Sequence, residues 1–187
     1  MLDAGRIGPL WLAWTAEGLT MLRFGAEPPP EGELRRWMPG PAPVPDAPIP
    51  PLVRDVLTRY FAGEPVDPAS LPVRLGGTRF QRRVWEALRA VPRGAVRTYA
   101  GLAADVGSPR ATRAVGMAMA TNPIAIVVPC HRVVGTRLAL GGYSGGLDRK
   151  RLLLELEGVK VEAGHVLPGQ LELLRAARAI ERPNGRE

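Results

Sequence analysis

The stretch MPGPAPVPDAPIPP, positions 38 to 51, holds seven prolines in fourteen residues. Each proline fixes φ and lacks the backbone N–H, so neither a helix nor a sheet ladder can run through such a segment. It reads as a loop, and regular structure must be built on either side of it. Upstream, PLWLAWTAEGLTMLRF gives two short apolar strands joined at Ala16-Glu17-Gly18, a hairpin signal. Downstream, Leu52, Val53, Val56, Leu57, Tyr60 and Phe61 fall on one face of an amphipathic helix over 52–61, and LPVRL at 71–75 can return as a strand. Residues 1–77 are therefore expected to form a small α/β domain.

From residue 78 the periodicity is helical. TRFQRRVWEALRAV places Phe80, Val84, Trp85 and Leu88 on one face, with Thr78 as N-cap and Pro92 as the stop. TYAGLAADV then predicts a short helix from Thr98. SPRATRAVGMAMATN predicts another, opened by Ser108 as N-cap with Pro109 at the first helical position. Two helices across a Gly107-Ser108 turn form a helix-turn-helix outline. The second helix is rich in small residues, Ala111, Ala114, Gly116 and Ala118, and the spacing puts Arg110 and Arg113 on a shared face. Small side chains let a backbone come close to another surface. That surface is either a neighbouring helix, with Val115 and Met119 in the core, or a nucleic-acid minor groove with one inserted side chain. The fold class is α+β: the N-terminal α/β domain, a mostly helical, winged-helix-like domain over 78–160, and a tail over 161–187 whose LELLRAARAIE segment reads as a helix.

Charge separates the same two halves. Residues 1–75 are net −2, residues 76–160 net +9, and the tail is neutral. A basic half beside an acidic one is either a polyanion-binding face or a solvated arginine-rich surface. No stretch approaches the roughly 18 to 20 apolar residues of a membrane span, and no basic leader precedes the first apolar run, so a soluble, cytoplasmic protein without membrane attachment is expected. One cysteine excludes an internal disulfide, and with only His131 and His165 beside it no zinc site and no cofactor are expected.

That cysteine, Cys130, stands in NPIAIVVPCHRVVG between Pro129 and His131. Three chemistries fit it. It could be a small buried apolar side chain, a hydrolase nucleophile with His131 as base, or a stoichiometric acceptor of an electrophilic group. Adjacent side chains of a strand point to opposite faces. His131 can therefore serve Cys130 only if the chain bends there or a water relays the proton, and Pro129 favours such a break.

PCHRV at 129–133 resembles the active-site motif of the O6-alkylguanine-DNA alkyltransferases. The resemblance extends through GTRFQRRVWEALRAVPRGAVRTYAGLA, RAVGMAMATNP, PCHRVV and GGYSGGLDRKRLLLELEG, in that order, over residues 77–158. It implies a DNA repair protein that moves a methyl or small alkyl group from O6 of guanine irreversibly onto its own Cys130, with O4 of thymine as a further candidate substrate. By the same resemblance His131 deprotonates the thiol through a bridging water, Glu157 holds the imidazole, Tyr99 is the acid toward the purine, and Asn122 ties the recognition helix to the cysteine loop. Arg113 is implied as the finger that replaces the flipped nucleotide, with Arg110, Ala111, Thr112, Ala114 and Gly116 at the minor groove. Met119, Val133, Tyr143 and Ser144 are implied around the alkylguanine. The expected partner is double-stranded DNA containing O6-alkylguanine, met by a monomer. The alternative is a lesion-binding protein that does not transfer the alkyl group, and Cys130 favours the catalytic branch.

Overall fold

A computed structural model describes residues 1–38, 44 and 47–168. The hairpin forms as expected: β2 (Pro9–Thr15) and β3 (Gly18–Phe24) are antiparallel, with Leu12 opposite Leu22, and β1 (Leu2–Asp3) adds an edge. Gly18 is required at the turn. Its φ is +134°, and a Cβ there would sit 2.5 Å from the Pro72 carbonyl oxygen. That carbonyl belongs to the 71–75 segment, which is not a full strand. It meets β3 at a single parallel bridge, Leu19 with Val73, because Pro72 has no N–H to extend a ladder.

A short helix that the apolar spacing does not announce, α1 (Glu31–Trp37), follows the hairpin. Glu31 and Glu33 lie in its first turn and Arg35 and Arg36 in its last, matching the helix dipole. Trp37 anchors it edge-on to Trp85, with ring centroids 5.6 Å apart. The helix α2 (Pro51–Phe61) starts one residue inside the proline-rich run, with Pro51 at its first turn, where the missing N–H costs nothing. It buries Val53, Leu57 and Tyr60.

The second half opens with α3 (Arg79–Arg89), closed by a full capping box between Thr78 and Gln81. Val84, Trp85 and Leu88 are fully buried, and the Trp85 indole donates to the Ala118 carbonyl at 2.9 Å. Then come β4 (Arg97–Thr98), α4 (Tyr99–Asp105, capped by Thr98) and α5 (Thr112–Ala120). The turn between these helices is longer than the expected Gly107-Ser108 pair. Residues 108–111 form a turn of their own, closed by Ala111 N–H to Ser108 O at 2.8 Å, so Ser108 and Pro109 do not open α5. Arg110 therefore lies ahead of the helix and does not share a helical face with Arg113. Val115 and Met119 point into the core as expected.

After Cys130 the chain forms β5 (Val133–Val134), parallel to β4, then α6 (Leu147–Leu156) and a small hairpin of β6 (Val161–Glu162) and β7 (His165–Val166). The LELLRAARAIE segment lies outside the described residues, as does most of the proline-rich run. One apolar cluster passes without a break from Leu10, Leu19 and Leu22 through Trp85 and Val115 to Ile124 and Val128. Leu22 also pairs across the halves, donating to Pro123 O at 2.9 Å and accepting from Ala125 N–H at 2.8 Å. The N-terminal hairpin thus grips the segment that leads to the cysteine.

Candidate active site

Two three-residue turns deliver Cys130. Val127 N–H returns to Ala125 O around Ile126, whose φ of +71° is rare for a β-branched residue. Cys130 N–H then returns to Val128 O around Pro129, whose φ of −80° and ψ of 64° are those of an inverse γ-turn. Ile126 holds its strained backbone because Ile124, Ile126, Val127 and Val128 are all fully buried. Cys130–Arg132 follow as a single 3-10 turn, so the chain bends where a strand would have turned His131 to the opposite face.

Asn122, just past the end of α5, fixes this loop from one side. Its Nδ2 donates to Val128 O at 2.8 Å and to Cys130 Sγ at 3.1 Å, while its Oδ1 accepts from Ile124 N–H at 3.0 Å. Burial pushes the Cys130 thiol upward, and the bonds from Asn122 and the charge of Lys150 offset only part of that. The resting thiol is protonated and must hand its proton to a base to react.

His131, the next residue in the same 3-10 turn, has the chemistry to take that proton. Glu157, at the end of α6, is wholly buried and accepts four hydrogen bonds. They come from His131 Nε2 at 2.9 Å, Tyr60 Oη at 2.7 Å, and Arg132 Nε and Nη2, both at 2.8 Å. Burial alone would push its carboxyl up, but His131 and the guanidinium outweigh this and hold it well below the usual carboxylate range. An ionised carboxylate only accepts, so His131 Nε2 carries the proton and Nδ1 keeps its lone pair. Nδ1 is buried with no protein partner. Burial and the nearby Arg132 and Lys150 charges push the imidazole down, which keeps it neutral and receptive.

A cavity of about 390 Å³ opens onto Cys130, lined by Tyr99, Gly116, Met119, Ala120, Gly142, Tyr143 and Ser144. Its volume suits a small organic ligand. Cys130 is 7% exposed and lines this cavity. Tyr99 is half-buried, and burial and the adjacent Cys130 raise its phenol, keeping it protonated. On the outer surface of α5, Arg113 and Ala114 are exposed, Thr112 and Gly116 are half-buried, and Ala111 precedes the first turn. Val133 does not line the cavity. It is fully buried in β5, and its carbonyl receives Lys150 Nζ at 2.5 Å.

Four buried or bridging residues escaped the sequence reading: Tyr60, Asp67, Arg132 and Lys150. Arg132 is fully buried, paired to Glu157 and also to Asp67 at 2.8 Å, and donates to Val91 O at 2.6 Å. Lys150 caps the Val133 and Leu140 carbonyls, and burial lowers its pKa to about 8. Arg132 stands inside the PCHRV motif and Lys150 inside GGYSGGLDRKR, which was the available signal. Tyr60 and Asp67 carried none, because their partners lie far along the chain.

Two family profiles cover nearly all of the described residues. The 6-O-methylguanine DNA methyltransferase ribonuclease-like domain matches 5–75, and the DNA binding domain of the same family matches 79–159. The chain belongs to the 6-O-methylguanine DNA methyltransferase family. The methylated-DNA–protein-cysteine methyltransferase of Mycobacterium tuberculosis is 46% identical over 84% of this chain and 90% of its own. That of Salmonella typhimurium is 55% identical over 56% of this chain and 61% of its own. Among solved structures, Mycobacterium tuberculosis OGT in complex with DNA aligns at 46% identity with a TM-score of 0.67, covering 81% of this chain and 88% of that one. The Pyrococcus kodakaraensis O6-methylguanine-DNA methyltransferase aligns at 32% identity and 0.60, covering 80% and 92%. In this chain the N-terminal half supplies two of the side chains around the buried Glu157 carboxylate, Tyr60 directly and Asp67 through Arg132. Among the described residues no helix is long and apolar enough to cross a membrane, and no cluster of side chains suits a metal ion.

Proposed function

We propose that this chain repairs double-stranded DNA by moving a methyl or small alkyl group from guanine O6, and secondarily from thymine O4, onto Cys130, once per molecule. The observation that carries the reading is a thiol at the floor of a base-sized cavity, beside a histidine whose tautomer is locked by a buried carboxylate. The thiol proton passes to His131 Nδ1 by way of a bridging water. The thiolate attacks the alkyl carbon in line, the S–C bond forms and the C–O6 bond breaks with its electron pair staying on the purine. Tyr99 donates a proton to the ring as O6 becomes a carbonyl, so the leaving group departs neutral. No second cysteine exists to reverse the thioether.

The target base must leave the duplex, at a cost of roughly a few kcal/mol. The exposed side of α5 supports that step: Arg113 fills the vacated stack, with Ala111, Thr112, Ala114 and Gly116 against the minor groove and Arg110 on a phosphate. Met119, Tyr143 and Ser144 close on the flipped base, Asn122 holds the nucleophile loop, and Val133 supports the pocket from behind. The protein works as a monomer in the cytoplasm without a cofactor. Incubation with duplex carrying O6-methylguanine, followed by intact-protein mass, tests the reading: a stable gain of a single methyl group that vanishes in Cys130→Ser is expected. Binding of the lesion without any adduct would instead make it a lesion-recognition protein.

A further inference from the structure

We infer that Tyr60, on α2 of the N-terminal half, is a positioning residue that sets the proton affinity of His131 through Glu157. Tyr60 is fully buried, and its hydroxyl donates at 2.7 Å to Glu157 Oε1, the very oxygen that takes His131 Nε2–H at 2.9 Å. Arg132 Nη2 donates to the same oxygen at 2.8 Å, so three donors compete there for the same electron density. The tyrosine therefore weakens the carboxylate's pull on the imidazole and keeps His131 a modest base. Burial and the Glu157 charge push the Tyr60 phenol well above its ordinary value, so it donates at every physiological pH.

Asp67 acts on the same carboxylate with the opposite sign. It pairs with Arg132 at 2.8 and 3.1 Å, drawing off part of a guanidinium charge that would otherwise fall on Glu157 and His131. The charged groups that act on His131 are thus Glu157, Arg132 and Lys150. Tyr60 and Asp67 stand one contact behind, and the Arg93 guanidinium lies 5.6 Å over the Tyr60 ring. Both outer residues belong to the half of the chain that carries no part of the nucleophile loop. Under this arrangement the N-terminal half tunes the reactivity of the thiol as well as supporting its fold.

The inference rests on the alkyl-transfer reading only for its kinetic consequence, and the decisive measurement does not need that reaction. His131 is titrated by NMR of imidazole-labelled, unreacted protein in the wild type, Tyr60→Phe and Asp67→Asn, with thermal unfolding to confirm that each variant is folded. Tyr60→Phe should move the His131 titration upward by roughly half a pH unit or more, and Asp67→Asn should move it downward. The histidine-dependent limb of the pH profile for Cys130 alkylation by methylated duplex should follow in the same directions. A merely structural role would leave the titration in place or shift both variants the same way, and either result overturns the inference. Should wild-type protein fail to take up alkyl groups while the opposed titration shifts remain, the alkyl-transfer reading fails and the coupling stands.

Discussion

Replacing Glu157 by glutamine keeps the shape of the side chain and removes the charge on which four donors converge. An amide has one acceptor oxygen and two donors of its own, so it cannot take His131, Tyr60 and both nitrogens of Arg132 together. Among the described residues, Arg132 is left fully buried with Asp67 as its one remaining carboxylate partner. Removing one member of a buried ion pair costs about 3–5 kcal/mol, a large share of a total stability of about 5–15 kcal/mol. Denaturant unfolding of Glu157→Gln at neutral pH should show a loss of that order. The folded-state carboxyl lies below its unfolded value, so its contribution is fully present above the unfolded pKa of about 4.3. It is lost as pH falls from there through the folded pKa, and the gap between wild type and variant should close over that acidic range. Alkyl transfer should fall by roughly 10²-fold at neutral pH, the scale of a general base. The deficit should shrink at alkaline pH, where the thiol ionises without His131. A stability loss under about 1 kcal/mol, or a rate deficit equal at every pH, would refute the assignment of Glu157 as the group that locks and charges the base.

Arg113→Ala should slow repair of duplex substrate by roughly 10- to 100-fold, the kinetic equivalent of part of the flipping cost. Reaction with free O6-methylguanine base, which needs no flipping, should stay near wild type, and Arg113→Lys should recover only part of the loss; equal loss on both substrates would place Arg113 in the pocket. Asn122→Ala removes two donors and an acceptor from the cysteine loop and should cost about 1–3 kcal/mol. Because Asn122 is the strongest influence holding the thiol down, the pH dependence of Cys130 labelling by iodoacetamide should move upward in this variant.

Local rules read the sequence well where the chain is locally determined. The hairpin, the Thr78 cap and the apolar face of α3 all follow from residues a few positions apart. The start of α5 did not, because Ser108-Pro109 is an equally good signal for an isolated turn, and the chain uses it as one. Pro51 reads as part of the loop by its proline neighbours, although a first-turn proline also suits a helix, as it does here. Within the site, motif residues such as Cys130, His131 and Tyr99 were visible by their neighbours. Tyr60 was seen only as one more apolar position of an amphipathic helix, since its partner lies 97 residues away. A hydroxyl that faces the core and one that packs against it leave the same trace in a helical pattern. Asp67 likewise reads as a turn residue, and it does cap Ala69 N–H, but its second oxygen and its long-range duty to Arg132 come from tertiary folding.

The pairing of Leu22 with Pro123 and Ala125 ties a strand of the first half to the approach of the nucleophile in the second. With Tyr60 on Glu157, Asp67 on Arg132 and a shared apolar cluster, neither half can open without exposing polar groups that the other half satisfies. Two units that are separable as sequence families should thus unfold as a single cooperative unit. The Leu22 and Ala125 amides should exchange with solvent at one common rate, set by global unfolding, and a hairpin mutation that never approaches DNA would still be felt at the sulfur.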